Sequence, residues 1–165
     1  MGTYVVATPK GGVGKSTTAA ELVLALSQRR RRVLAIDLDQ QGNLTNRLGL
    51  TASSEVDGTT ADVLAGELDL DQAATPSPVL DGVDVLAGTH ALADTEAAPP
   101  ADLITYLRDE LPAHADRWDD VVIDTPPSVG ALTQAGLSAA DVIIAPVTPS
   151  VEAYDQLRRL AAVLD

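Results

Sequence analysis

Short continuous runs of apolar residues alternate along the chain with segments whose apolar residues have helical spacing. β-branched and aliphatic runs predict buried strands at residues 3–8, 32–37, 83–86, 121–124 and 142–145. Helices are predicted at residues 17–30, 102–111, 131–139 and 152–164, with one or two helical turns at 60–65. Residues 52–60 and 88–101 are expected to be loops. The alternation predicts an α/β fold, with a doubly wound, mostly parallel sheet flanked by helices.

The first two predicted strands and the helix between them make one β-α-β unit. We therefore expect these strands to be parallel and joined by a right-handed crossover. The helix at 17–30 is apolar on nearly every side, as expected of a helix that lies against a sheet. A chain of 165 residues has the length of a single domain, here residues 1–165, and is long enough to bury a core.

Composition excludes several classes of protein. The chain has no cysteine, which excludes disulfides, thiolate zinc sites and iron–sulfur clusters. Its apolar runs are all shorter than the roughly 20 residues of a membrane span. The sequence enters the first predicted strand directly after Met1, without a signal peptide. We expect a cytoplasmic protein that does not insert into membranes.

The charge is strongly acidic, with a formal net charge of −13. Such a surface repels DNA phosphates and anionic lipids, so nonspecific DNA binding by this segment alone is disfavoured. Adaptation to a salt-rich cytoplasm and the bias of a GC-rich genome explain the acidity equally well. The chain has nine arginines and only two lysines, and Lys10 and Lys15 both lie in one glycine-rich loop.

A basic run and an acidic pair lie outside that loop. Arg29–Arg32 has two interpretations, a patch that contacts DNA or lipid, or cations that offset the dipole at a helix end. The second is favoured. Asp119 and Asp120 are expected to form a solvated turn before a strand, and Trp118 to lie against that strand.

The glycine-rich loop follows a strand and opens a helix, which is the context of a phosphate-binding loop. Its residues are Lys10, Gly11, Gly12, Val13, Gly14, Lys15, Ser16 and Thr17. Glycines let backbone N–H groups point at phosphate oxygens, and the helix N-terminus adds partial positive charge. Lys15 would approach the β- and γ-phosphates, Ser16 would reach Mg²⁺, and Thr17 would reach the α-phosphate. The alternative is a glycine-rich turn that only caps a helix.

Three aspartates are predicted at the carboxyl ends of strands, where ligands bind in such folds. Asp37 and Asp39 follow the second predicted strand, and Asp124 ends the fourth. Nucleotide hydrolysis needs a group that positions water and a carboxylate that holds Mg²⁺, usually through water. The alternative for Asp37 and Asp39 is that they cap a short helix that begins near Asn43.

Together these motifs resemble the ParA/MinD family of deviant Walker-type P-loop ATPases. The loop is similar to the family's K-G-G-x-G-K-[ST], residues 37–43 to D-x-D-P-Q-G-N, and residues 123–128 to I-D-T-P-P-S. Pro9 replaces the first glycine of the usual P-loop pattern, and Gln40 replaces the family's proline. The resemblance implies that Lys10 reaches the nucleotide of a partner subunit, that Asp39 orients water, and that Asp37 supports the magnesium shell. The residues after Asp124 would sense the γ-phosphate.

The resemblance implies a partition ATPase that uses ATP and Mg²⁺, forms an ATP-dependent homodimer, and works with an adaptor of the ParB type in plasmid or chromosome segregation. One alternative is a MinD-like membrane-cycling ATPase, which calls for a basic amphipathic C-terminal helix, and residues 152–165 are not basic overall. Another is a nucleotide-binding module without turnover. A nitrogenase-reductase-like carrier would need cysteines. The resemblance stops at Ser150, where the family continues, so we expect a fragment or a shortened member.

Overall fold

The computed structural model describes residues 1–51, 53–149 and 151–163. In these ranges the strands, numbered in chain order, are β1 (Gly2–Val6), β2 (Val33–Asp37), β3 (Thr75–Pro76), β4 (Val83–Leu86), β5 (Asp120–Asp124) and β6 (Val142–Ile144). The α-helices are α1 (Lys15–Gln28), α2 (Asn43–Arg47), α3 (Thr60–Leu64), α4 (Leu70–Ala73), α5 (Leu92–Ala97), α6 (Leu103–Glu110), α7 (Ala131–Ser138) and α8 (Val151–Ala161). A 3₁₀ turn at Leu111–His114 extends α6.

The strands form one sheet in the order β3-β4-β2-β5-β1-β6. All pairings are parallel except the short antiparallel one between β3 and β4. β2 and β5 lie at the centre, and every residue of both strands is buried. Strands covered on both faces are apolar along their length, which explains why these two were visible in the sequence. The predicted fold class, a mostly parallel sheet flanked by helices, is confirmed.

β1 and β2 are parallel, as expected, but they do not pair with each other. β5 lies between them, and its last residue, Asp124, is in register with Val6 on one side and with Asp37 on the other. α1 begins at Lys15, earlier than the predicted start at residue 17. The carboxyl ends of three strands and the first turn of α1 therefore meet at one edge of the sheet.

Helices cover both faces of the sheet, because neighbouring residues of a strand point to opposite sides. On one face, Ala35 of β2 belongs to the same buried cluster as α1 and α2, whereas the neighbouring Leu34 belongs to the cluster formed with α3 to α8. α1 buries a single stripe, Ala19, Val23 and Leu26, and Ala25 is exposed. The helix therefore has more apolar residues than the sheet covers, and some of them are exposed to solvent.

The chain between β2 and β5 is more structured than its sequence predicts. Residues 88–101, expected to form a loop, contain α5, and α4 and β3 were not predicted. Such short helices are stabilised by tertiary contacts rather than by their own propensity, and α5 is anchored by the fully buried Leu92. At the other end of the chain, Leu164 of the last predicted helix and Ser150 lie outside the described residues.

The amino edge of the sheet is held by polar contacts to acidic side chains that are partly or fully buried. Trp118 is buried, and its indole N–H donates a hydrogen bond to Asp84 Oδ2 at 2.9 Å. The guanidinium of Arg117 stacks over the Trp118 ring, 4.5 Å from its centroid. Trp118 thus lies just before β5, as expected, and it also donates a hydrogen bond to β4 that could not be predicted from the sequence.

The arginine run pairs with the acids in front of β5. Arg31 Nε donates to Asp120 Oδ2 at 2.6 Å, and Arg32 donates to Asp119 Oδ1 at 2.7 Å. Hydrogen bonds from Arg32 hold the pKa of Asp119 well below its usual range. Asp120 is buried, so the expected solvated turn is wrong for this residue. Two of the four arginines therefore have a structural role at this edge.

We predict that the Arg31–Asp120 pair stabilises the fold more than an exposed pair does. Arg31→Ala should lower the free energy of unfolding more than removal of an exposed arginine does, because it leaves a buried carboxylate without its cation. Urea denaturation measures this change. The matched control is Arg108→Ala, whose partner Asp109 has a 61% exposed side chain against 4% for Asp120. That control should have a smaller effect, since exposed ion pairs contribute little, and equal effects of the two substitutions would contradict the prediction.

Candidate functional site

The glycine-rich loop after β1 has the conformation of a phosphate cradle. Gly12 and Gly14 have φ values of +73° and +93°, a region that strongly favours glycine. A Cβ on either residue would meet no atom within 4 Å, so backbone conformation rather than space requires glycine here. Gly14 is the N-cap of α1, which places Lys15, Ser16 and Thr17 in its first turn. The first amide groups of a helix have no partner inside it and are available to an anion.

Lys15 lies deep in the loop and is 6% exposed. Its ammonium donates a hydrogen bond to the carbonyl oxygen of Lys10 at 3.1 Å. Burial lowers the pKa of Lys15, and the nearby carboxylates of Asp124 and Asp39 oppose that shift. The lysine is therefore held between the loop and the acids of the neighbouring strands. Lys10 lies at the partly exposed lip of the same loop.

Asp37 is completely buried at the end of β2, and its carboxylate accepts three hydrogen bonds. Oδ1 accepts the Asp39 N–H at 3.1 Å, and Oδ2 accepts the N–H and the hydroxyl of Thr45 at 2.9 and 2.8 Å. Burial raises the pKa of Asp37 to about 6, although these hydrogen bonds oppose the shift. Since Thr45 lies in the first turn of α2, whose N-cap is Gly42, Asp37 accepts one of the free amides of this helix from outside it.

Thr45 and Gly88 are residues of this site that the sequence did not reveal. The Thr45 hydroxyl, which donates to Asp37, also accepts the Gly88 N–H at 2.9 Å. A Cβ on Gly88 would lie 2.7 Å from Asp37 Cγ and from the Asp39 carbonyl oxygen. Gly88 therefore lets the chain after β4 cross directly over the two aspartates. The only signal in the sequence is a glycine soon after a strand that ends at the same edge.

Asp39 closes the turn between β2 and α2. Its Oδ1 accepts the Gln41 N–H at 3.0 Å, and its carbonyl oxygen accepts the Gly42 N–H at 2.9 Å. Gly42 has a φ of +61°, and a Cβ there would lie 2.8 Å from the Gly88 carbonyl oxygen. The turn is thus fixed by its own hydrogen bonds and by the close approach to Gly88, although Gln40 stands where the family has proline.

Asp124 differs from Asp37 in accepting no well-formed hydrogen bond from the described residues, although the Ser16 hydroxyl is close enough to lower its pKa. It is fully buried, and among the described residues neither of its carboxylate oxygens accepts a hydrogen bond. Burial raises the pKa of Asp124 to about 7, and the charges of Asp37 and Asp39 add to the shift, whereas the nearby Ser16 hydroxyl and Lys15 ammonium oppose it. A buried carboxylate without partners is costly unless a cation or a donor approaches it.

Most of the predicted loop residues and Asp39 line one open cleft of about 380 Å³, whereas Lys10, Val13, Asp37 and Asp124 do not line it. Its walls are the loop residues Gly11, Gly12, Gly14, Lys15, Ser16 and Thr17, together with Asp39, Gln41, Asn43, Arg47 and Pro127. Larger cavities of about 450 and 580 Å³ are lined by residues at the amino edge of the sheet, far from the loop. In the described ranges, no three acidic or histidine side chains form a metal-ligand cluster. No described helix is both long and apolar enough to span a bilayer.

Comparison with known sequences identifies relatives along the whole chain. A family model described as an AAA domain matches residues 1–165. The sporulation initiation inhibitor protein Soj of Bacillus subtilis (strain 168) is 34% identical over 163 residues, which cover 97% of this chain and 64% of Soj. The chromosome-partitioning ATPase Soj of Thermus thermophilus is 37% identical, over 97% of this chain and 60% of that protein. This chain thus spans less than two thirds of the length of these curated relatives.

Solved structures give the same fold. Cobyrinic acid a,c-diamide synthase from Mycobacterium smegmatis, with a bound ATP analogue and magnesium, has a TM-score of 0.87 and 34% identity, covering 99% of this chain and 68% of that one. Apo McdA from Cyanothece has a TM-score of 0.90 and 26% identity, covering 99% and 65%.

We predict that the Thr45 hydroxyl stabilises the aspartate turn. Thr45→Val keeps the shape of the side chain but removes one hydrogen bond to Asp37 and leaves the buried Gly88 N–H unpaired. The free energy of unfolding should fall by about 1–3 kcal/mol. Chemical denaturation measures it, with Thr105→Val as the control, because the Thr105 hydroxyl makes only a long 3.4 Å bond on the exposed side of α6. If the two variants are equally stable, the proposed importance of this hydrogen bond is wrong.

Proposed function

Because this chain belongs to the ParA/MinD family of P-loop ATPases, we propose that it binds MgATP and hydrolyses the γ-phosphate. The observation that carries the proposal is the buried carboxylate of Asp124, which lies beside Ser16 and Lys15 and accepts no well-formed hydrogen bond within the described ranges. A phosphate loop supplies donors for an anion, and a carboxylate without partners suits the cation that accompanies it. Mg²⁺ in such sites is held by one or two carboxylates, water and substrate phosphates.

The residues of the phosphate loop and the aspartates near it have proposed parts in binding. The amides of Gly11, Gly12, Val13 and Gly14, with those of the first turn of α1, hold the phosphates. Lys15 neutralises charge on the β- and γ-phosphates, and Thr17 contacts the α-phosphate. Ser16 and Asp124 would hold a magnesium ion, whose chemistry would be to supply positive charge to the phosphate oxygens. Asp37 would support the magnesium shell without contacting the ion, since its own oxygens already accept hydrogen bonds from Thr45 and Asp39.

Asp39 is the proposed water-positioning residue. It lines the cleft opposite the phosphate loop, and the turn that carries it is fixed by hydrogen bonds to its own backbone. The in-line attack on a γ-phosphate requires a water molecule held in the correct direction, and a rigid carboxylate performs that task. The charge of Asp39 also opposes the burial-induced fall in the pKa of Lys15, so the turn supports the lysine electrostatically.

A closed dimer would explain why Lys10 lies at the lip of the loop rather than within it. Lys15 already serves the phosphates from inside its own chain, so a second lysine adds most when it comes from a partner subunit. Each nucleotide would then lie between two chains, and loss of the γ-phosphate would loosen their contact. We propose this ATP-dependent homodimer as the active form.

Segregation of a chromosome or plasmid, with an adaptor of the ParB type, is the cellular role we propose. It is supported by the names of curated relatives, which include a chromosome partitioning protein ParA of Myxococcus xanthus, 33% identical over 97% of this chain. The likeness to a cobyrinic acid a,c-diamide synthase supports the nucleotide site rather than this role. Because the chain carries a formal charge of −13, we expect little contact with DNA from this segment alone.

Substitution of Asp39 should separate the binding of MgATP from its hydrolysis. Asp39→Ala should retain MgATP binding within a few-fold and lose hydrolysis by on the order of 10²-fold, because water positioning acts mainly in the transition state. Single-turnover hydrolysis and calorimetric binding measure the two effects. Asp109→Ala, which removes an exposed acid on α6, is the control and should behave as the parent. Hydrolysis at the parental rate in Asp39→Ala would restrict Asp39 to a role in the turn.

The proposed action of Lys10 across the dimer can be tested by mixing variants, once ATP-dependent dimerisation of the parent chain has been measured. Lys10→Ala chains bind nucleotide but donate no lysine, and Lys15→Ala chains donate Lys10 but bind no nucleotide. Each variant alone should be inactive, and the mixture should recover part of the turnover. Normal dimerisation and hydrolysis by Lys10→Ala alone would refute the shared site, even with the fold and the nucleotide unchanged.

A further inference from the structure

The N-terminus of α7 is capped by a side chain from another helix. α7 follows the segment 125–130, its N-cap is Gly130, and its first turn contains no acidic residue. Glu96, near the end of α5, fills this role, because its Oε2 accepts the Leu132 N–H at 2.9 Å. A carboxylate at this position satisfies a free amide and interacts favourably with the helix dipole.

Gly130 and Glu96 fit closely against each other. A Cβ on Gly130 would collide with Glu96 Oε1 and lie 2.8 Å from Glu96 Cδ. The backbone of Gly130, with φ −72° and ψ −170°, is open to any residue. A Cβ on Gly130 would therefore displace the flexible end of Glu96 without straining the backbone, so the contact can be tested by substitution on either side.

α5 lies between the two loops that flank the proposed nucleotide site. One face of α5, Leu92, Ala93 and Glu96, lines a cavity of about 420 Å³. The other walls of this cavity come from residues 38–41, which include Asp39, and from residues 126–128, which follow Asp124. Gly88, just before α5, crosses over Asp37 and Asp39. A single short segment thus contacts the aspartate turn at its start and α7 at its end.

From these contacts we infer that Glu96 is a positioning residue, which holds the segment 125–130 and α7 in the place that turnover requires. The inference rests on the proposed ATPase function. Glu96 does not line the phosphate-loop cleft. Pro127, in the segment that Glu96 holds, does line that cleft together with Asp39. Loss of Glu96 should therefore affect the chemical step more than the binding of nucleotide by Lys15 and Ser16.

The kinetic test compares Glu96→Ala and Glu96→Gln with the parent chain. Glu96→Ala should lower kcat about five- to tenfold and change KM for MgATP less than about twofold, as expected when one hydrogen bond that sets geometry is lost. Glu96→Gln keeps an oxygen that accepts the Leu132 N–H and should recover most of kcat. Glu67→Ala removes an exposed acid just after α3 and is the control for charge alone.

A double-mutant cycle tests whether Glu96 acts through Gly130. Gly130→Ala should lower kcat in the parent, because the new Cβ displaces the glutamate, and should cost little more in the Glu96→Ala background, where that side chain is gone. Hydrogen exchange at the Leu132 amide should be faster in Glu96→Ala and in Gly130→Ala than in the parent, with or without nucleotide.

The outcomes separate this inference from the proposed function. A parent chain that neither binds nor hydrolyses MgATP overturns the proposed function and the inference with it. An active parent with unchanged kcat in Glu96→Ala overturns the inference alone. Additive effects of the Glu96 and Gly130 substitutions, or an unchanged Leu132 exchange rate, also overturn it. A fall in kcat that Glu96→Gln does not restore, accompanied by an equal change in KM, indicates general loss of structure and contradicts the positioning role.

Discussion

The hydrogen bonds of β5 to β1 on one side and to β2 on the other determine the geometry of everything at the carboxyl edge. They place the ends of three strands, which are far apart in the sequence, side by side, and so bring Asp37, Asp124 and Lys15 into one buried region. Charges in such a place are costly unless they are paired or hydrogen-bonded. The fold satisfies Asp37 with protein donors and leaves Asp124 without any in the described residues. This difference fits the proposed roles, in which Asp124 holds the magnesium ion and Asp37 supports the magnesium shell.

The location of the candidate site could be predicted from the sequence, because each motif is local. The phosphate loop and the aspartates at strand ends each follow a buried strand within a few residues. The connections between these motifs could not be predicted, since Thr45 and Gly88 are 43 positions apart, and Glu96 and Leu132 are 36 apart. Neither contact can be predicted from a periodic pattern in the sequence. The same limit explains why the insertion of β5 between β1 and β2, and a helix as short as α5, were not foreseen.

The two edges of the sheet differ in how they use charge. At the amino edge, Arg31 and Arg32 form ion pairs with Asp120 and Asp119, and these pairs stabilise the fold. At the carboxyl edge, acids and Lys15 share a cleft without an ion pair between them among the described contacts, and the proposed result is ligand binding. Proteins named for partition and for cobyrinic acid chemistry both resemble this chain. The shared fold alone therefore does not assign a partner to this chain.

Trp118 gives the molecule a built-in optical reporter. It is the only tryptophan of the chain, it is buried, and its indole is held between Asp84 and Arg117 at the amino edge. Its fluorescence therefore responds when that edge loses its structure and water reaches the indole. The proposed nucleotide site lies at the opposite edge, so occupancy there leaves the fluorophore's surroundings unchanged. Unfolding can consequently be followed without a label, and a spectral change on adding nucleotide would mean that the two edges of the sheet move together.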